Sequence, residues 1–78
     1  MPVRLSNIDL QKYKKFLAQQ ECNKIRTEGG HEIWARADLL SCIILQSHVS
    51  PVPEFIIRQH LNILGISKKE FQKSMENL

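Results

Sequence analysis

Long hydrophobic runs are missing from this sequence. The longest, CIIL at Cys42–Leu45 and FII at Phe55–Ile57, fall far short of the ~20 apolar residues that a membrane-spanning helix needs. The first ten residues, MPVRLSNIDL, also contain no apolar stretch of signal-peptide length. Cysteine is scarce: Cys22 and Cys42 stand alone. Without a secretory signal they are expected to be reduced thiols in a cytoplasm, both acting as small buried hydrophobes. No linker, repeat or low-complexity segment divides the chain.

What is present fits one domain, 1–78. A chain of this size buries only about 60–65 % of the surface it exposes when unfolded, so its core is thin. A hydrophobic content of 42 % with 24 % charged residues is ordinary for a globular protein and excludes wholesale disorder. The net charge of +3 and pI near 9.1 favour a polyanion such as RNA or DNA, or an acidic protein, as partner.

The periodicities predict the order α-β-β-β-α-α. In LSNIDLQKYKKFLAQQ, Ser6 is placed to cap a helix with Asp9 three residues on, and Leu10, Tyr13 and Leu17 make an apolar stripe with Phe16 beside it. Lys12, Lys14 and Lys15 then fall on the solvated side. NKIRT alternates as a half-buried strand does, HEIWAR makes a second strand, and SCIILQSH a third with β-branched residues at its centre. VSPVP ends the sheet, because proline cannot donate to a ladder. Pro53 suits the first position of the helix PEFIIRQHLNIL, in which Ile57, Leu61 and Leu64 recur at helical spacing. Gly65 stops that helix as a left-handed cap with Ile66 as its hydrophobic contact. Ser67 and Glu70 form a capping box for a last helix carrying Phe71, Met75 and Leu78. The sum is an α+β sandwich, a three-stranded antiparallel sheet with helices on one face.

Two of the three glycines stand directly before His31, in TEGGHEIWAR. A three-residue loop of Glu28, Gly29 and Gly30 would set Thr27 against His31 and Ile25 against Ile33. Both isoleucines then face the core, with Lys24, Arg26, Glu32 and Trp34 on the opposite face. In this register His31 shares the core face but sits beyond its edge, beside glycine amides that an anion can approach closely. The chemistry suited to such a place is phosphodiester cleavage in RNA, where the 2′-hydroxyl must lose a proton and the leaving 5′-oxygen must gain one. Imidazole can do either at neutral pH. Charge on the phosphate calls for nearby cations or amides; Lys24, Arg26 and Arg36 are the cations of this hairpin. Each of these residues also has a plain structural alternative: a hydrogen-bonding turn histidine at 31, solvated strand cations, a boundary residue at His60, and a bond from His48 to the proline turn. A zinc site from Cys22, His31, Cys42 and His48 lacks the close ligand spacing of such sites.

From Ile25 onward the sequence resembles the HicA family of bacterial toxin–antitoxin systems, through KIRTEGGHEIWAR, QSHVSPVPEFIIRQHLNILGIS and KKEF. The resemblance implies a double-stranded RNA-binding-domain-like fold and an endoribonuclease, an mRNA interferase, that arrests growth and is held by a HicB-type antitoxin. It implies Gly29, Gly30 and His31 as the family's glycine, small residue and catalytic histidine, and His48 as a candidate helper. The absence of metal-ligand spacing and of long apolar runs leads to the expectation of no cofactor and no membrane partner. Two other functions stand beside this one: a non-catalytic RNA-binding module of the same shape, and a protein-interaction domain anchored by an exposed Trp34.

Overall fold

The computed structural model describes residues 5–78. Ser6 does not cap the first helix. Helix α1 spans Leu10–Gln19, and its N-cap is Asp9, whose carboxylate accepts the Lys12 N–H at 3.1 Å. Ser6 lies too early, separated from the helix by Asn7 at φ 58°. Strands β1 (Asn23–Glu28), β2 (His31–Ala35) and β3 (Ile43–Gln46) form one antiparallel sheet in the order β1-β2-β3. Helix α2 (Glu54–Leu64) follows, with Pro53 at its N-cap, one position earlier than expected. Gly65 at φ 70° closes it, and the amides of Gly65 and Ile66 both donate to the Leu61 carbonyl. Helix α3 (Lys68–Glu76) starts where the Ser67 hydroxyl accepts the Glu70 N–H at 3.1 Å. The architecture is the expected α+β one. Among the described residues, no helix is long and apolar enough to cross a membrane.

The helices cover one face of the sheet. Tyr13, Phe16 and Leu17 of α1 meet Ile57 and Leu61 of α2, Phe71 and Met75 of α3, and Trp34, Ile43 and Leu45 of the sheet in one cluster. Phe16 and Phe71 pack edge to face, ring centres 4.7 Å apart, a geometry that adds about 0.5–1.5 kcal/mol beyond the area buried. Leu78, expected on this face of α3, is exposed.

The hairpin register differs from the one the side chains suggest. Gly29, at φ 58°, allows a two-residue turn, so Glu28 faces His31, Thr27 faces Glu32 and Arg26 faces Ile33. The register then slips between Lys24 and Arg26, leaving Ile25 in a bulge, half-exposed at 52 %. The inward row is Glu32 and Trp34 with Leu45 and Ile43 opposite; the outward row is His31 and Ile33 with Gln46 and Ile44 opposite. Trp34 is therefore 8 % exposed and belongs to the core. It does not present a docking anchor on an open face. The physical reason lies in what each parity buries. Turning Trp34 inward removes one of the largest apolar surfaces in the chain from water, and the carboxylate it brings along, Glu32, finds a partner.

That partner is Lys14, whose Nζ lies 2.7 Å from Glu32 Oε2. Lys14 therefore reaches under the sheet and is not simply solvated. The β1 strand, expected to be half-buried, is exposed along all its length, since it forms an edge beyond the reach of the helices. Cys22 is buried as expected, but Cys42 is exposed.

Candidate active site

Around the turn, the end of β3 and the start of β2 are tied together by Ser47. Its backbone N–H and its hydroxyl both donate to the Gly30 carbonyl, at 2.8 and 3.0 Å. One residue further on, the exposed His48 ring lies on Gly30, with Cδ2 3.5 Å from where a β-carbon on that glycine would stand. The histidine thus turns back to the hairpin tip. His31 follows Gly30 on the exposed outer face, between Glu28 and Gln46 across the sheet. The imidazole from the segment after β3 therefore rests on the glycine that precedes His31 in the chain.

The expectation that His31 shares the core face is overturned: it stands on the face away from the helices. The two-residue turn has a second effect, because it brings Arg26 onto this same outward row, opposite Ile33. Arg26 carries an exposed ion pair with Glu28 at 3.1 Å, an interaction worth at most about 1 kcal/mol and easily exchanged for a phosphate. Lys24 is opposite Trp34 and on the inward row, where its charge helps to hold the Glu32 carboxylate ionised. Arg36 is placed at the other end of the hairpin, five residues along from His31, roughly 16 Å at strand rise. Its guanidinium donates to the Gln20 carbonyl at the end of α1 at 2.7 Å and pairs with Asp38 at 2.6 Å. Arg36 closes the helix terminus and does not flank the tip. Of the three cations read from the hairpin, only Arg26 joins His31.

Among the described residues, no three His, Cys, Asp or Glu side chains cluster closely enough to hold a metal ion. Cys22, His31, Cys42 and His48 are not gathered into the zinc site considered from their residue types.

Sequence reasoning missed Ser47 and Gln46, which belong to the tip only through cross-strand pairing, and no local pattern marks them. It also placed His60 at a boundary, whereas this residue is 2 % exposed. Its Nδ1 is 2.7 Å from the Tyr13 hydroxyl and its Nε2 3.0 Å from the Ile44 carbonyl oxygen. The carbonyl can only accept, so Nε2 carries the proton and Nδ1 accepts from Tyr13. Burial pushes the His60 pKa below the ordinary value, with the bond to Ile44 opposing it in part. His60 is thus a neutral structural histidine that fastens α2 to the edge of β3.

No family model matches this chain, and no curated protein and no solved structure matches it either.

Proposed function

We propose that the chain is a metal-independent endoribonuclease of the HicA type, a toxin that cuts mRNA and is restrained by a HicB-type antitoxin. The observation that carries this reading is His31 exposed on the outward row directly after the glycine turn, with Arg26 on the same row and the His48 ring packed on the adjacent Gly30. Cleavage through the 2′-hydroxyl needs one group to take a proton and a second to give one. In this arrangement one imidazole removes the 2′-hydroxyl proton as the 2′-oxygen bonds to phosphorus. The other, protonated, delivers its proton to the 5′-oxygen as the P–O5′ bond breaks. The products are a 2′,3′-cyclic phosphate and a 5′-hydroxyl. Arg26 supplies positive charge to the phosphoryl oxygens once it leaves Glu28. The small residue at Gly30 leaves room for the His48 ring at the hairpin tip, which a larger side chain would displace.

The test is cleavage of single-stranded RNA by purified protein, wild type against His31→Ala. A general acid–base group supplies about 10²–10⁴-fold in rate, so the variant should lose at least that much while remaining folded by circular dichroism. Equal cleavage by a folded His31→Ala protein would refute the assignment. RNA binding without cleavage by the wild type would instead establish a non-catalytic RNA-binding module.

A further inference from the structure

The Gly30 carbonyl accepts two bonds from a single residue, the Ser47 backbone N–H at 2.8 Å and the Ser47 hydroxyl at 3.0 Å. That carbonyl belongs to the same peptide group as the His31 N–H. The group is planar, so whatever fixes its carbonyl also fixes the plane from which the His31 side chain departs. The chain leading into it is Gly29 and Gly30, residues that restrict their own backbone less than any others. On the far side of the tip β1 gives little support, being exposed along all its length and irregular between Lys24 and Arg26. Ser47, by contrast, stands on anchored chain. Leu45, two residues before it, is 2 % exposed in the core. After it, the Ser50 hydroxyl accepts the Leu10 N–H at 3.2 Å and the Val52 N–H donates to the Ile8 carbonyl at 2.9 Å, which joins this segment to the start of α1.

We propose that Ser47 is the positioning residue of His31, its hydroxyl holding the Gly30–His31 peptide so that the imidazole stays aimed at the substrate phosphate; the proposal rests on the ribonuclease reading above. The backbone N–H of Ser47 alone would continue the β2–β3 ladder by one bond. A single bond leaves the peptide free to rock about the donor–acceptor line, and the two glycines before it do not resist that motion. The hydroxyl is a second donor to the same oxygen from another direction, and it removes this freedom. The effect on rate follows from geometry, since misplacing a catalytic group by an ångström costs up to about a hundredfold. Ser47 is not assigned a contact with any reacting atom. Its loss should therefore fall on kcat and leave KM, which reflects contacts such as Arg26 with the phosphate, unchanged.

The experiment has two arms, both on the full chain. In the first, RNA cleavage by wild type, Ser47→Ala and Ser47→Thr is compared. Ser47→Ala keeps the backbone N–H and deletes only the hydroxyl, so it should fold, with kcat lowered about tenfold and KM unchanged. Ser47→Thr retains the hydroxyl and should restore most of the rate. In the second, ¹⁵N relaxation is measured without RNA. The order parameter of the His31 amide should drop in Ser47→Ala from the rigid value of about 0.85 toward 0.6, while the amides of Trp34 and Leu45 stay rigid. A Ser47→Ala protein with the wild-type kcat, or with a His31 amide as rigid as before, would overturn the proposal. A loosened His31 amide with no RNA cleavage by the wild type would support the pin and reject the ribonuclease reading. Cleavage that Ser47→Ala retains in full would do the reverse.

Discussion

The imidazole of His48 rests on Gly30, its Cδ2 3.5 Å from the point where a β-carbon of that residue would be. That spacing is ordinary van der Waals contact, so a single methyl fits and a branched side chain does not. Gly30→Ala should therefore keep stability within about 1 kcal/mol and retain cleavage, because small changes outside the core rarely exceed that. Gly30→Val should displace the His48 ring and slow cleavage by at least about tenfold, since misplacing a catalytic group by an ångström costs up to about a hundredfold. Gly29 differs: at φ 58°, its replacement by alanine should cost about 1 kcal/mol in thermal unfolding. A fully active Gly30→Val protein would remove His48 from the mechanism.

Lys14 and Glu32 make a partly buried pair. Burial opposes the Glu32 charge, but the Lys14 hydrogen bond and charge, with the Trp34 indole N–H, outweigh it and hold the carboxyl below its usual pKa. A depressed carboxyl pKa stabilises the fold above the unfolded value of about 4.3, and that contribution is lost as the pH falls through the folded value. Lys14→Met should cost roughly 1–3 kcal/mol near neutrality, because the carboxylate is left unpaired. The deficit should shrink on acidification as Glu32 becomes protonated. Urea unfolding at several pH values checks both the size and the trend.

His60 should add a second acid-sensitive step. Its folded pKa is depressed by burial, so below about 6.5 the unfolded chain takes up the proton first. Stability is then lost as the pH falls from 6.5 toward the folded value. Tyr13→Phe, which deletes the 2.7 Å donor to Nδ1, should cost about 1–2 kcal/mol. His60→Leu should flatten the stability profile below about pH 6.5. An unchanged profile in that variant would show that another group titrates there.

Cleavage should survive EDTA. Proton transfer by imidazoles and charge stabilisation by Arg26 do not call on a divalent ion. Products should end in 2′,3′-cyclic phosphate or its hydrolysed form. Activity abolished by chelation and restored by magnesium would contradict the mechanism.

Expression of the wild-type chain alone should slow bacterial growth, and His31→Ala should not. Co-expression with a HicB-type antitoxin should restore growth through a complex burying about 1,200 Å² or more. The surface it must cover is the outward tip with Gly29, Gly30, His31 and Arg26. Growth unaffected by abundant wild-type protein would count against the toxin reading.

The sequence by itself determined the features that depend on neighbours along the chain. The order of elements, the left-handed stop at Gly65, the cap at Ser67 and the glycine turn before His31 all follow from local backbone preference and short-range spacing. Which face each strand residue occupies was decided only in the tertiary structure. A one-residue change of register reverses every side chain, and the two-residue turn makes such a change from a three-residue loop: it moves Arg26 onto the row of His31. The inward turn of Glu32 depends on Lys14, eighteen positions earlier in sequence, reaching it across the core. Likewise, His48 and Gly30 meet because β3 pairs with β2 and Ser47 holds the ends together. Those contacts are long-range, and residue type along the chain specifies which groups can pair but not which ones the packed sheet brings within reach.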